Sequence, residues 1–354
     1  AYEIASCLVG SEMCIRDRMS SADVGDDVFK EDPTVNKLEE RLCDMFGMES
    51  ALFFPSGTMA NQTAIKIHTN PGDQLICDKY AHVFNYEGGG VSFNSGVSCK
   101  LIDGIRGMFK NSQLLNAINP PDFYHSPKTS LVCIENTTNK GGGACWDINE
   151  LKVINKTCKK NNLAIHLDGA RIWNALVKKN ESPKDYGSIF DTISVCLSKG
   201  LGCPSGSVLI GSKEKIDKAL RIRKVLGGGM RQVGYLAACG LYALENNIER
   251  LSLDHKKAKE IEGSVRNTGI HACGVIITPD DLTEFVPVAT AKDSDLVCTQ
   301  YDNSVAENAG LLKMDFLGLK TLTLIKDTVK QVKYKYNIDL DPDTFPLDDL
   351  KTYE

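Results

Sequence analysis

This sequence lacks a long apolar run, an excess of basic residues and metal-like cysteine spacing, and each absence argues against a class of protein. No apolar run is long enough to cross a membrane as a helix. Basic residues are not in excess, because the net charge is -5 and the sequence pI is about 5.8. An acidic chain of this kind offers no basic surface for nucleic acid or for an anionic membrane.

The cysteines lack the spacing of a metal site. There are 13 of them, at irregular intervals, with no C-x-x-C pair and no ligand-like cluster with histidine. This argues against zinc, and no metal is predicted. Many of the cysteines lie within apolar runs, as Cys133, Cys196 and Cys239 do, which is typical of small buried residues in a reducing cytosol. The predicted location is the cytoplasm.

The chain of 354 residues, 42% of them hydrophobic, can form one large and one smaller domain with packed cores. Short apolar runs rich in β-branched residues alternate with helical patterns over the first two thirds of the chain. This alternation predicts an α/β domain with a mostly parallel central sheet. The helix with the clearest signals begins at Pro33, after the N-cap Asp32, and is closed by Gly47.

Two predicted strands are each followed by a residue that could take part in cofactor chemistry. The run from Ala164 to Asp168 ends in an acid, and the run from Thr192 to Cys196 is followed by Lys199 in a glycine-rich turn. Enzymes that use pyridoxal 5'-phosphate (PLP) need a lysine for the Schiff base and a carboxylate for the pyridinium nitrogen. The pair predicts a PLP site, and the alternative for Lys199 alone is a solvated loop charge.

Further candidate residues lie elsewhere in the same stretch. Ser56, Gly57 and Thr58 follow a predicted strand and open a helix, which suits a cofactor phosphate, although an ordinary N-cap has the same pattern. Arg171 follows Asp168 by three residues and would lie at the same rim of the site. It could bind a substrate carboxylate or simply lie on a helix surface. Arg231, in a glycine-rich loop, could contact a phosphate or another subunit.

Two histidines are candidates for proton transfer. His82 precedes three consecutive glycines and could stack on a flat ring and exchange protons near neutral pH. The alternative for His82 is a structural role. His125, in the segment Tyr124 to Pro127, is a weaker candidate on the same grounds.

Together the sequence segments that carry these candidates resemble the threonine aldolase group of the β-eliminating lyases. These are PLP enzymes of the fold-type I (aspartate aminotransferase) class. The resemblance covers about residues 20–257 without a break. The matching phrases are VGDDVF (24–29), EDPT (31–34), PSGTMAN (55–61), ENT (135–137), GGG (141–143), HLDGAR (166–171), SKGLG (198–202) and GGGMRQ (227–232).

The resemblance implies a role for each candidate. Lys199 would hold PLP covalently and Asp168 would pair with the ring nitrogen, while Ser56, Gly57 and Thr58 hold the phosphate. His82 would stack on the ring, Arg171 would bind the substrate carboxylate, and Arg231 would reach across a subunit interface of a homo-oligomer. The implied reaction cleaves threonine or allo-threonine to glycine and an aldehyde, with His82 or His125 as the base, directly or through water.

The two ends of the chain do not fit this family. Residues 7–18 (CLVGSEMCIRDR) resemble a translated sequencing adapter, so residues 1–18 are interpreted as a scar and 19–257 as the PLP-binding large domain. The family's N-terminal segment and C-terminal small domain, which supplies another arginine, are not recognisable.

Residues 258–354 resemble a fragment of the bacterial DNA polymerase III alpha subunit, through RNTGIHACGV (266–275) and GLLKMDFLGLKT (310–321). Asp315 matches one metal-binding carboxylate of that family. A two-metal site needs several carboxylates, and the others are not present, so no polymerase activity is predicted. This α+β fragment is interpreted as the second half of a chimera, joined within 258–263. The alternative function is that of a polymerase fragment without activity of its own.

Overall fold

The computed structural model describes residues 14–261, 274–278, 280–286, 288–290, 297–299, 311–315 and 320–341. The chain divides into two compact units, Ala1–Glu262 and Gly263–Glu354. The first unit contains a seven-stranded sheet with the order β1-β7-β6-β5-β4-β2-β3. Its strands are β1 (Ser50–Phe54), β2 (Gln74–Asp78), β3 (Ser98–Ile102), β4 (Thr129–Glu135), β5 (Ala164–Gly169), β6 (Thr192–Cys196) and β7 (Ser207–Gly211).

The sheet is mostly parallel, as the sequence predicted. Four of its pairs are parallel, from β3 through β2, β4 and β5 to β6, and the two pairs that involve β7 are antiparallel. The register places Glu135 of β4 opposite Asp168 of β5, and Asp168 opposite Ser194 of β6. The carboxyl ends of parallel strands form the usual ligand site of such sheets, and the candidate acids lie at this edge.

Helices pack on the sheet and supply most of the remaining core. The first of them, α1, covers the described residues 14–20, and its Ile15 is buried in the main hydrophobic core. The others are α2 (Pro33–Phe46), α3 (Gly57–His68), α4 (His82–Asn85), α5 (Gly90–Ser95), α6 (Asn111–Ala117), α7 (Ile148–Lys160), α8 (Ile172–Lys179), α9 (Pro183–Ile189), α10 (Lys213–Val225), α11 (Gly234–Asn246) and α12 (Leu251–Ile261).

Helix α2 shows how local signals set an element. Asp32 accepts hydrogen bonds from the backbone N–H groups of Thr34 and Val35, and Pro33 occupies the first helical position. Gly47 ends the helix at a positive φ of 64°, a conformation that glycine adopts at little cost. The predicted bounds of this helix are confirmed, because cap chemistry is local.

The second unit contains two small antiparallel sheets. One pairs β8 (Gly274–Ile277) with β11 (Leu312–Asp315), and the other pairs β9 (Val288–Thr290) with β10 (Val297–Thr299). Its helix α13 spans Lys320–Tyr336. Asp315 is the last residue of β11. Much of the polymerase-like sequence, including residues 266–273 and 316–319, lies outside the described residues.

Candidate active site

The candidate site lies where β4, β5 and β6 end. Asp168 is 2% exposed, and its Oδ1 accepts a hydrogen bond from the backbone N–H of Ala170 at 3.1 Å. Burial raises the pKa of Asp168, while the charges of His82 and Lys199 act in the opposite direction. Asp168, His82 and Lys199 are therefore close enough to interact electrostatically, although the sequence separates them widely.

Lys199 lies half-buried in the turn that follows β6. Its backbone carbonyl accepts a hydrogen bond from the N–H of Gly202 at 2.9 Å, which closes the turn. Burial raises the pKa of Cys196, and the positive charge of Lys199 opposes that rise. The same charge opposes protonation of His82. The lysine that could form a covalent bond with a carbonyl compound thus follows the strand next to the one that carries the buried acid.

The turn before α3 packs closely on the end of β6. A Cβ added to Gly57 would lie 2.7 Å from Sγ of Cys196, closer than any ordinary contact. Ser205 donates a hydrogen bond to the carbonyl of Pro55 at 2.8 Å, which holds the same turn. Ser56 is the N-cap, since its Oγ accepts from the N–H of Met59, and Thr58 is exposed in the first turn.

His82 is held by a carboxylate that the sequence did not single out. Nδ1 of His82 lies 3.0 Å from Oε1 of Glu87, whose side chain is fully buried. This hydrogen bond raises the pKa of His82, with burial opposing it. No motif or spacing in the sequence marks Glu87 as the partner of His82.

Glu135 is a second acid that the sequence did not single out. One of its oxygens accepts from the backbone N–H of His82 at 3.3 Å, and the other accepts from that of Asn139 at 3.0 Å. Burial and the nearby charge of Asp168 raise the pKa of Glu135 to about 7. Asn139 in turn accepts a hydrogen bond from Arg171 at 3.4 Å, so Glu135 connects the two sides of the site.

Two predicted site residues have contacts elsewhere. The aromatic contacts of His125 are with Phe123 and Tyr124 in its own exposed loop, with ring centroids 5.2 Å and 4.0 Å away. Arg231 forms an ion pair with Asp26 and lies over the ring of Phe29, 5.6 Å from its centroid. No hydrogen bond or ring contact within the described part of the chain joins either residue to Asp168.

The structure also brings together three potential metal ligands. Atoms of His82, Glu87 and Asp168 lie within 4.8 Å of one another. The amide of Asn61 lies between the two carboxylates and donates to both at 2.9 Å, so these oxygens already have a partner. The predicted absence of a metal remains a prediction.

Comparison with known proteins identifies the family. The model of the beta-eliminating lyase family matches residues 10–275 of this chain. The chain belongs to the beta-eliminating lyase family. This match begins within the segment interpreted as a scar and extends past residue 257.

Relatives of this beta-eliminating lyase have been named as threonine aldolases. Low-specificity L-threonine aldolase 1 of Arabidopsis thaliana is 40% identical over 262 residues, which cover 72% of this chain and 73% of that protein. The low specificity L-threonine aldolase of Escherichia coli K12 is 40% identical over 252 residues, covering 71% of this chain and 74% of that protein.

A solved structure shares the fold. The threonine aldolase of Leishmania major superimposes with a TM-score of 0.63 at 20% identity, covering 81% of this chain and 87% of that one. The predicted fold class is thereby confirmed for the first unit. The polymerase resemblance of residues 258–354 finds no support in these comparisons.

The beta-eliminating lyase family depends on PLP, and the residues present fit that cofactor. A fully buried carboxylate with an amide and a backbone donor suits a protonated ring nitrogen. The glycine at the start of α3 allows the helix N-terminus to lie against the end of β6, three residues before Lys199. An anion at such a helix end is favoured by the free N–H groups and the helix dipole.

Proposed function

We propose that this chain is a PLP-dependent aldolase that cleaves β-hydroxy-α-amino acids, threonine and allo-threonine, to glycine and an aldehyde. The observation that carries the proposal is the meeting of Asp168, Lys199 and the Gly57 turn at one edge of the sheet. Relatives about 40% identical to this chain carry the name L-threonine aldolase, which supports the same substrate class.

In this proposal the cofactor is held at three points. Lys199 would hold the aldehyde group of PLP covalently, and the carboxylate of Asp168 would pair with the ring nitrogen. Ser56, Gly57 and Thr58 hold the phosphate at the N-terminus of α3. When bound, PLP supplies an electron sink for the carbon–carbon cleavage.

His82 covers the ring and is the favoured base. Its bond to Glu87 fixes the orientation of the imidazole, so Nε2 is the ring nitrogen left to take up the proton of the substrate hydroxyl. His125 remains the alternative, but its partners are the rings of its own exposed loop.

Arg171 is proposed to bind the substrate carboxylate. It follows Asp168 at the same edge of the sheet, and its guanidinium reaches Asn139 at 3.4 Å. A planar guanidinium can form two parallel hydrogen bonds with a carboxylate, which fixes the substrate's Cα relative to the cofactor.

The activity is tested by following aldehyde release from L-threonine and L-allo-threonine by the full chain supplied with PLP. We expect aldehyde and glycine in equal amounts, and their loss in Lys199→Ala. The control is Lys160→Ala, at the exposed end of α7, which should retain the wild-type rate. A wild-type chain that binds PLP but releases no aldehyde would restrict the proposal to cofactor binding.

We also propose that the protein is a homo-oligomer. The glycine-rich loop exposes Arg231 and Met230, and the neighbouring Phe29 is 66% exposed. An apolar surface beside an arginine is a common feature of interfaces. Light scattering of the full chain tests this, with a monomeric mass as the contrary result.

A cytoplasmic location is proposed from the state of the cysteines. The eleven cysteines that the structure describes are all free, which suits a reducing compartment. Among the described residues, no helix has the length and apolar character needed to cross a membrane. Fractionation of the source cells tests the location.

We propose that residues 19–257 form the PLP-binding domain, that 258–354 derive from an unrelated polymerase-like gene, and that 1–18 derive from an adapter. The division into compact units after Glu262 supports the second boundary. A single DNA read from codon 1 across codons 240–290 tests it. Continuous genomic sequence would contradict the adapter and chimera interpretations.

A further inference from the structure

A buried amide connects the two acids of the site. Asn61 is in the second turn of α3 and is 2% exposed. Its Nδ2 donates to Oδ2 of Asp168 at 2.9 Å and to Oε1 of Glu87 at 2.9 Å. Because Oε1 of Glu87 also accepts from Nδ1 of His82, one amide group touches both the ring-nitrogen acid and the acid that orients His82.

The other end of the Asn61 amide is equally constrained. Its Oδ1 accepts from Ser194 Oγ at 2.6 Å and lies 3.2 Å from Nε2 of His166. Burial lowers the pKa of His166 to about 4, so the imidazole is neutral at pH 7 and carries one N–H. That N–H belongs on Nε2, because Asn61 must present its oxygen to His166 when its NH₂ group faces two carboxylates.

Behind His166 the hydrogen bonds continue in the same direction. Nδ1 of His166 lies 2.9 Å from Thr192 Oγ1 and 3.2 Å from the Thr192 carbonyl. With the proton on Nε2, Nδ1 accepts from the hydroxyl, and its approach to the carbonyl, which can only accept, is not a hydrogen bond. That hydroxyl in turn accepts from Nε2 of His68 at 2.9 Å. The hydrogen bonds thus form one series from His68 to Asn61, in which each donor is directed toward the next residue on the way to Asp168.

We propose that Asn61 is a positioning residue that holds Asp168 ionised and oriented toward the cofactor ring nitrogen, and holds Glu87 in place beside it. The inference rests on the proposed PLP site. Glu87 is held at its other oxygen by Gln62 Nε2 at 2.6 Å, so Asn61 is the contact that joins Glu87 to Asp168. Removing the Asn61 amide takes one of two hydrogen-bond donors from the buried Asp168 carboxylate, which disfavours its charged form.

The experiment compares two readouts in the full chain. The first is the dissociation constant of PLP, followed by absorbance at neutral pH. The second is the ¹⁵N chemical shift of PLP labelled at the ring nitrogen, which reports whether that nitrogen carries a proton. A residue needed only for folding would not change the second readout in a protein that still unfolds cooperatively.

The variants are Asn61→Leu and Asn61→Ser, with Thr63→Val as the matched control. Thr63 is a fully buried residue of the same helix whose Oγ1 has no hydrogen-bond partner among the residues that the structure describes, so the control changes shape little and breaks no bond seen there. For both Asn61 variants we expect a PLP dissociation constant raised about tenfold or more and an unprotonated ring nitrogen. The control should match the wild type in both.

Each outcome decides the proposal. Wild-type affinity and a protonated ring nitrogen in the Asn61 variants would overturn the role of Asn61 and leave the PLP site intact. A wild-type chain that fails to bind PLP would overturn both proposals. If Asn61→Leu does not unfold cooperatively, Asn61→Ser, which leaves a polar group and room for water, decides between the same results.

Discussion

Oε1 of Glu87 lies 3.0 Å from Nδ1 of His82, and this contact gives the histidine a fixed orientation beside Asp168. The bond raises the pKa of His82, and the charge of Asp168 acts in the same direction, whereas that of Lys199 opposes both. Burial of the imidazole also opposes protonation, so the pKa of His82 is set by its burial and by the charges of three groups. The pKa of His82 can be measured directly.

Replacing Glu87 by Gln should lower the pKa of His82. The amide carries no charge to stabilise the imidazolium, so protonation becomes less favourable. Proton NMR titration of the imidazole C2–H signals measures this change in a chain with six histidines. In the control variant Glu245→Gln, the pKa of His82 should match that of the wild type. An unchanged His82 pKa in Glu87→Gln would show that the contact does not govern it.

Gly57→Ala should destabilise the protein through a clash with Cys196. The new methyl would lie 2.7 Å from Sγ, and overpacking of this kind costs about 1–3 kcal/mol. Removing the sulfur in Cys196→Ala should relieve part of that cost. The measurement is the free energy of unfolding of both single variants and the double variant. Strict additivity of the two changes would contradict the close approach of α3 to β6.

Glu135→Gln should change how stability depends on pH. Burial raises the pKa of Glu135 to about 7 from 4.5, so the folded protein holds this proton more tightly than the unfolded chain. The folded state therefore loses stability from this group as the pH rises from 4.5 through 7. The total loss is about 3 kcal/mol.

The Glu135→Gln variant lacks this titration. As the pH rises from 5 to 8, its free energy of unfolding should therefore increase relative to that of the wild type. Denaturant titrations at both pH values measure the difference. The exposed Glu245→Gln variant provides the control and should follow the wild type. Parallel curves for Glu135→Gln and wild type would mean that Glu135 titrates normally in the folded protein.

The buried His68 should make the protein sensitive to acid. Burial lowers the pKa of His68 to about 3 from 6.5, so the unfolded chain takes up this proton more readily. Its contribution is present above pH 6.5 and is lost as the pH falls toward 3, by about 1.4 kcal/mol for each unit well below 6.5. In His68→Gln, whose amide can still donate to Thr192, the loss of stability between pH 6.5 and 4.5 should be shallower. An equally steep loss would contradict a neutral His68.

Local signals predicted much of the fold. The cap at Asp32 and the closing Gly47 gave the bounds of α2, and the β-branched run gave β6 at Thr192–Cys196. The edge strand β3 was missed, because Ser98–Ile102 is short and mostly exposed and so lacks an apolar pattern. The helix α9 was missed for a similar reason, since it is only seven residues long.

Only part of the candidate site could be predicted, because some of its residues come together through the sheet and others through tertiary packing. Asp168 lies near the carboxyl end of β5 and Lys199 follows the adjacent parallel strand β6, so the parallel sheet alone places them at the same edge. Asn61 lies 107 residues from Asp168, and only the packing of α3 against the sheet brings them together. Glu87 and Glu135 likewise receive their roles from backbone and side-chain donors that are distant in sequence or sit in irregular turns. No spacing rule identifies such contacts.

The central claim is that Lys199 holds PLP beside Asp168. The most direct test is to incubate the full chain with PLP, reduce it with borohydride and locate the modified lysine by peptide mass spectrometry. The account predicts a single modified residue, Lys199, and no stable modification in Lys199→Ala. Modification spread over surface lysines, or none in a folded wild-type chain, would contradict it.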